Sequence, residues 1–291
     1  MADRIRIYEV GPRDGLQNEP GVIPLARRLE LIRALVAAGL RDIEVGSFVS
    51  PRWVPQMAGS AEILAGVDYA NEVNFAALIP NMKGWESYSE AIAPLPRIPG
   101  EVAVFISASE GFSRANLNCS VAESLDRIAP VVDAARAAGV TVRGYVSCVT
   151  DCPFDGPTDP ALVARAVAGL RALAPMQVSL GDTIGRGTPD SVSAMLDAVL
   201  AVCGPDDLAG HFHDTTGLAL ANVEVAITAG LRTFDSSVAG LGGCPYAPGA
   251  PGNLDTGALV DRCAALGFET GVDRAALDRA ADIARGLRAA A

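Results

Sequence analysis

His211 and His213, the two histidines of the chain, are separated by one residue in a segment predicted to be a strand. Side chains alternate between the two faces of a strand, so both imidazoles point to the same side. This motif is typical of a metal site, and a hydrogen-bonded histidine pair is the alternative. Asp14 adds a carboxylate if its strand closes a barrel next to the last one. Such a ligand set suits Mg²⁺ or Mn²⁺, and it would also accept Zn²⁺ or Co²⁺.

Further polar side chains fall where predicted strands end. They are Arg13 and Gln17 after the first strand, Glu44 in the second, Asp182 at the end of the sixth, and Cys244 and Asn253 after the eighth. The active site of an α/β barrel lies at the carboxyl ends of its strands, so we expect these side chains to surround one site. The position of Arg13 directly before Asp14 favours a substrate-facing cation, with a surface salt bridge as the alternative.

Glu44 lies in a strand that is otherwise apolar on both sides. A buried carboxylate without a partner costs several kcal/mol, so this side chain must be paired. An ion pair with Arg13 at the barrel mouth is one interpretation, and a direct role in the site is the other. Asp182 has the same two interpretations.

Cys244 lies in the most glycine-dense loop of the chain, between Gly243 and Pro245. Glycines permit backbone excursions, which favours a mobile lid around residues 240–253 over the barrel mouth. A cysteine in such a loop is a candidate for chemistry. The other five cysteines are predicted to be structural, and no Cys-x-x-Cys pair is present.

Short apolar runs alternate with longer amphipathic segments through the whole chain. The predicted strands are Ile5–Val10, Asp42–Phe48, Val73–Ile79, Glu101–Ser107, Thr141–Cys148, Gln177–Thr183, Leu208–Asp214 and Thr233–Gly240. The intervening helices include Leu25–Ala38 and Ser120–Ala138, each followed by a glycine, and Asp273–Ala290 is one helix more than eight units need. The pattern predicts an α/β fold, a (β/α)8 TIM barrel with an additional C-terminal helix, as a single domain over residues 1–291. An open α/β sheet is the alternative.

Composition excludes several classes of protein. There are 23 Lys and Arg against 34 Asp and Glu, for a net charge of −11, which disfavours a nucleic-acid binder. We see no secretory signal and no apolar stretch long enough to span a bilayer, so no membrane partner is expected. Six scattered cysteines in a chain of this length favour a reduced, cytoplasmic protein. The sequence is compatible with a monomer or a homo-oligomer.

Five segments resemble the 3-hydroxy-3-methylglutaryl-CoA lyase family. They read VGPRDGLQNE, SFVSPRWVPQM, SLGDT, HFHDTTGLALAN and VAGLGGCPYAPGAPGN, in the family's order and over nearly the whole barrel. The Arg-Asp-Gly and His-x-His elements also occur in the wider superfamily of isopropylmalate and homocitrate synthases. The Gly-Gly-Cys-Pro-Tyr-Ala loop is much more specific to the lyases. The resemblance implies divalent-metal-dependent cleavage of a short acyl-CoA to acetyl-CoA and acetoacetate, as in leucine degradation.

The resemblance also implies a role for each candidate residue. Metal ligands would be Asp14, His211, His213 and Asn253; substrate contacts Arg13 and Gln17; and catalytic groups Arg13, Cys244, Asp182, Glu44 and His211. Arg13 would stabilise the enolate of the departing acetyl-CoA, and Cys244 would transfer a proton. Asp182 with His211 would assist removal of the hydroxyl proton.

Two positions depart from the family pattern. Gly257 replaces a glutamate of the family, and Pro20 follows Glu19 where relatives commonly carry lysine. Either change is compatible with a related substrate, such as citramalyl-CoA or a longer 3-hydroxy-3-alkylglutaryl-CoA, or with a slower enzyme. A condensing acyltransferase of the same superfamily is a further alternative, against which the cysteine loop argues. A non-catalytic binding protein is favoured only by Gly257.

Overall fold

Eight parallel strands form a closed barrel in the computed structural model of the chain, which describes residues 3–69, 72–95, 97, 100–242 and 252–290. The barrel strands are β1 (Arg6–Glu9), β2 (Asp42–Ser47), β3 (Asn74–Leu78), β4 (Glu101–Ser107), β5 (Thr141–Ser147), β8 (Gln177–Asp182), β9 (Leu208–Phe212) and β10 (Thr233–Ser236). A two-stranded antiparallel ribbon, β6 (Asp151–Cys152) with β7 (Gly156–Pro157), follows β5. The pairing of β1 with both β2 and β10 closes the barrel and confirms the predicted fold.

Helices surround the barrel on the outside. They are α1 (Leu25–Ala37), α2 (Ser60–Gly66), α3 (Met82–Ile92), α4 (Glu110–Leu117), α5 (Val121–Ala137), α6 (Pro160–Leu173), α7 (Pro189–Leu200), α8 (Ala219–Thr228), α9 (Thr256–Ala265) and α10 (Arg274–Ala290). The predicted cap of α5 is present, because the Ser120 side chain and Glu123 form a reciprocal capping box. The additional C-terminal helix is α10, and it packs against α1. Among the described residues, none of these helices is long and apolar enough to cross a membrane.

The observed strands agree with the predicted ones to within one or two residues, except at the eighth. That strand was expected to run from Thr233 to Gly240, but β10 ends at Ser236. Beyond it the chain turns sharply at Ala239 and Gly240, whose φ angles are 55° and 57°. Left-handed backbone cannot continue a strand. The predicted strand therefore ends in a turn.

The barrel interior carries charge as well as apolar side chains. Arg143, fully buried, lies with its guanidinium 4.0 Å from the centre of the Tyr8 ring and 4.9 Å from that of Tyr145. Its partner is Asp235, with Nη2 to Oδ1 at 2.6 Å. Each charge is desolvated, and the attraction between the two groups offsets part of that cost. This pair lies directly beneath the site described below.

Candidate functional site

Arg13 and Asp14 are presented by a single turn of π-helix, Gly11–Gly15, directly after β1. Glu9, at the end of β1, holds this turn from below. Its buried carboxylate accepts hydrogen bonds from Gly11 N (2.8 Å), Val238 N (3.0 Å) and the Thr256 hydroxyl (2.7 Å). Burial raises the pKa of Glu9 to about 7 against the opposing effect of these donors. Glu9 thus joins the ends of β1 and β10 to the start of α9.

Asp14, His211 and His213 converge at the barrel mouth. One ligand atom of each residue lies within 4.8 Å of the others, and the two imidazole Nε2 atoms are 3.3 Å apart. Asn253 donates from Nδ2 to Asp14 Oδ2 at 2.8 Å, so the fourth predicted ligand is adjacent. A carboxylate and two imidazole nitrogens facing one point are a donor set that fits a divalent cation. The four residues that the sequence predicts at one site, Asp14, His211, His213 and Asn253, therefore lie together in the fold.

The electrostatics of this cluster suit a cation. Burial alone would raise the pKa of Asp14, but the charges of Arg13, His211 and His213 lower it to about 2, so the carboxylate is ionised. Burial, together with the neighbouring His211, lowers the pKa of His213 to about 4. His213 is therefore neutral near pH 7, and a neutral imidazole has a free lone pair for a metal.

Asp235 is a site residue that the sequence reasoning missed. Its Oδ2 lies 3.0 Å from His211 Nδ1 and accepts from the Ser179 hydroxyl at 2.7 Å. Burial opposes its ionisation, but Arg143 and His211 lower its pKa to about 2. A carboxylate on Nδ1 fixes the tautomer and leaves Nε2 free to bind a metal. The signal was present, since Asp235 is the one charged residue of its predicted strand, Thr233–Gly240.

Arg13 forms a two-point ion pair with Glu44. Nε lies 2.7 Å from Oε1 and Nη2 lies 3.2 Å from Oε2, while Nη1 lies 2.6 Å from Asp14 Oδ1. The Tyr145 hydroxyl donates to Glu44 Oε2 at 2.5 Å. The ion pair expected as one interpretation of Glu44 is therefore present, and it fixes the guanidinium at the edge of the site. A preorganised cation can stabilise negative charge at low reorganisation cost.

Asp182 stands apart from this arrangement. Asp182 accepts from the Thr150 hydroxyl (2.7 Å) and from Gly187 N (2.9 Å), so its carboxylate holds the loop after β8. The hydrogen bonds of its side chain within the described residues go to Thr150, Arg186 and Gly187, and not to His211, the expected partner. Cys244 and most of the predicted lid, residues 243–251, lie outside the described residues.

A cavity of about 310 Å³ opens beside Arg13, Asp14 and the two histidines. Gln17 and Asn18 extend its polar side. Its apolar wall includes Val49, Val54, Leu78, Pro80, Phe105 and Phe112. The cavity therefore brings the cluster of Asp14, His211 and His213 next to an apolar wall.

Comparison with known proteins identifies the relatives of this chain. The family model described as HMGL-like matches residues 4–284. Hydroxymethylglutaryl-CoA lyase of Pseudomonas mevalonii is 51% identical over 92% of this chain and 87% of that protein. A 3-hydroxy-3-isohexenylglutaryl-CoA/hydroxy-methylglutaryl-CoA lyase of Pseudomonas aeruginosa is 52% identical over 95% and 90%. The crystal structure of the HMG-CoA lyase from Brucella melitensis has a TM-score of 0.95 and 53% identity, covering 99% of this chain and 100% of that one.

Proposed function

The chain belongs to the HMGL-like family, and from this membership we propose that it cleaves 3-hydroxy-3-methylglutaryl-CoA to acetyl-CoA and acetoacetate. The observation that carries the proposal is the convergence of Asp14, His211 and His213 beside the paired Arg13. These are the groups that such a cleavage needs, a cation-binding end and a fixed positive charge. Relatives at about half identity over most of the chain bear the name of this activity.

The ligands that we propose for a divalent cation, Mg²⁺ or Mn²⁺, are Asp14, His211, His213 and Asn253. A cation bound there would supply Lewis acidity, which makes a coordinated hydroxyl easier to deprotonate. Asp235 acts on this site through His211, because it holds Nδ1 and so aims Nε2. Arg143 keeps Asp235 ionised and in place.

The reaction breaks the bond between C2 and C3 of the acyl group. The hydroxyl on C3 gives its proton to water acting as base and becomes the ketone of acetoacetate, while the electron pair of the broken bond passes to the thioester, which becomes an enolate. We assign Arg13 to the enolate oxygen, where negative charge develops and a fixed cation lowers the barrier most. Glu44 orients Arg13, and Gln17 in the cavity wall contacts the substrate.

We assign one residue that the sequence singled out to a proton step, and another to a structural role. We propose that Cys244 delivers the proton to the enolate carbon, as the family resemblance implies. Asp182 has a different part in our proposal from the expected one, because its hydrogen bonds hold the loop after β8. We assign it to positioning that loop. Cys244→Ser should bind metal normally and lose most activity, and alkylation mapped to Cys244 by mass spectrometry should be slowed by substrate.

The test of the function is release of acetyl-CoA from a small panel of 3-hydroxyacyl-CoA thioesters, with added Mg²⁺ or Mn²⁺. We expect cleavage of 3-hydroxy-3-methylglutaryl-CoA, loss of activity on chelation, and recovery when either ion is restored. No cleavage of any thioester with either ion would overturn the proposal. The same panel includes citramalyl-CoA, one of the alternatives considered from the sequence.

One observation favours a second substrate, a thioester with a longer alkyl group on C3. The apolar wall of the cavity, which includes Leu78, Phe105 and Phe112, is larger than a methyl group requires. The Pseudomonas aeruginosa relative is named for an isohexenyl substrate as well as the methyl one. Comparable kcat/KM for a long-chain and the methyl thioester would support this second activity, and absence of long-chain cleavage would exclude it.

A cytoplasmic location stays a prediction.

A further inference from the structure

The C-terminal helix α10 reaches the same end of the barrel as the site. It packs against α1 and against the turn after β10. Its final turn carries Arg288, whose Nε lies 3.3 Å from Glu19 Oε1 and whose Nη2 lies 2.9 Å from the carbonyl oxygen of Gly240. One side chain thus ties together the loop after β1 and the turn after β10, the two segments that flank Asp14 and Asn253.

We propose that Arg288 is a positioning residue for acyl-CoA binding, because it holds the loop 16–24, and with it Gln17 and Asn18, against the cavity. The proposal rests on the function proposed above for its substrate. It assigns to α10, which lies outside the eight repeated units of the barrel, a part in shaping the site.

The argument starts from the burial of Glu19. The side chain of Glu19 is only 8% exposed, whereas that of Arg288 is 46% exposed. Among the described residues, Arg288 is the one cation in an ion pair with this carboxylate. A carboxylate that is buried without a partner must either take up a proton or move into water. Loss of Arg288 therefore drives Glu19 outward and pulls on the neighbouring Gln17 and Asn18, both of which line the cavity.

The loop has a second attachment that makes its position matter. The Glu19 carbonyl oxygen accepts a hydrogen bond from Gln56 Nε2 at 2.8 Å, so the loop after β1 is tied to the loop after β2. That second loop contributes Val54 to the cavity. A shift of Glu19 is therefore transmitted to both walls at this side of the cavity.

The contact with Gly240 fixes the other segment. Gly240 and the preceding Ala239 both have left-handed backbone, which is costly for alanine and is held by surrounding contacts. Two residues later, Gly242 packs so closely that a side chain there would meet Asn253 Nδ2 at 2.8 Å. Arg288 therefore holds the turn that lies next to Asn253, a proposed metal ligand.

The experiment compares Arg288→Ala with a matched control on the same helix, Arg285→Ala. Arg285 pairs with Asp282, and both side chains are well exposed, so the control removes an arginine without touching either loop. A net hydrogen bond contributes about 1 kcal/mol, which corresponds to about a fivefold effect. We expect Arg288→Ala to raise KM for 3-hydroxy-3-methylglutaryl-CoA about fivefold with kcat within about twofold. Arg285→Ala should change neither constant.

Amide hydrogen exchange provides a readout that does not depend on turnover. Arg288→Ala should speed exchange in residues 16–24 and 238–242, and Arg285→Ala should leave it unchanged. The double variant Arg288→Ala/Glu19→Gln removes the buried charge, so it should recover a lower KM and slower exchange than Arg288→Ala alone. A general loss of stability would not be corrected by this second substitution.

These outcomes distinguish failure of the role proposed for Arg288 from failure of the proposed function. Unchanged KM and unchanged exchange in Arg288→Ala would overturn the proposal, as would a double variant no better than the single one. If the parent cleaves no acyl-CoA, the proposed function fails, but exchange in the two segments still decides whether Arg288 holds them.

Discussion

Replacing Arg13 by methionine should cause two separable losses. Arg13 is buried between Glu44, with Nε to Oε1 at 2.7 Å, and Asp14, with Nη1 to Oδ1 at 2.6 Å. Glu44 is fully buried, so Arg13→Met leaves it with the Tyr145 hydroxyl as its remaining described hydrogen-bond donor. Breaking a buried pair from one side costs about 3–5 kcal/mol. Removing one group that stabilises a developing oxyanion lowers kcat by about 10²- to 10³-fold.

The double variant Arg13→Met/Glu44→Gln separates these effects. A neutral amide at position 44 can accept from Tyr145 without carrying a charge, so the free energy of unfolding should recover to within about 1–2 kcal/mol of the parent. The turnover number should not recover, because no cation remains at the enolate. Urea unfolding measures the first quantity, and release of acetyl-CoA under saturating substrate measures the second. Glu44→Gln alone is the control, since it keeps the cation beside Asp14.

Recovery of kcat together with stability in the double variant would refute the enolate role and make Arg13 a structural partner of Glu44. A raised KM with an unchanged kcat in Arg13→Met would instead indicate uniform binding of substrate and transition state.

Three further substitutions test other parts of the site. His213→Ala should lower the affinity for Mn²⁺ by more than about 10-fold in calorimetry with the fold intact, and normal metal binding would exclude it as a ligand. Burial raises the pKa of Glu9 from 4.5 to about 7, so its contribution to stability is fully present below pH 4.5 and is lost as the pH rises through 7. Glu9→Gln should remove about 3 kcal/mol of that pH dependence in urea unfolding, and an unchanged slope would contradict the burial argument. Gly257→Glu should leave kcat/KM within about twofold for both the methyl and the long-chain thioester, and a selective change would place position 257 in the substrate site.

The barrel and the cluster of Asp14, His211 and His213 could be predicted because both follow from local rules. The alternation of strands and helices indicated the fold. Because side chains alternate along a strand, His211 and His213 were predicted to lie on the same face. The rule that barrel sites lie at strand ends then added Asp14 and Asn253. Asp235 was missed because its importance depends on the register between neighbouring strands, which places Asp235 opposite His211. One sequence does not contain that pairing.

Asp182 shows the limit of the strand-end rule. Gly181 and Thr183 line the cavity, so Asp182, between them, points to the other face of the strand. In the predicted strand Leu208–Asp214 the two histidines indicate which side faces inward, because both are polar and they are two residues apart. The segment Ser179–Thr183 holds polar residues on both parities, and nothing in it marks the inward side. A position at the end of a strand places a residue near the site. Whether its side chain points into the site depends on which of the two alternating faces of the strand it lies on.

The structure also changes the interpretation of Gly257. As a departure from the family sequence, it pointed to a different substrate or a weaker enzyme. In the fold, Gly257 lies in the first turn of α9, and a Cβ there would meet Asp255 Oδ1 at 2.9 Å and Arg274 Nη2 at 3.1 Å. Arg274 belongs to α10 and already pairs with Asp261. A side chain at 257 would therefore grow toward the contact between α9 and α10. The substitution therefore bears on how the last two helices pack, and Gly257 is not among the residues that line the cavity.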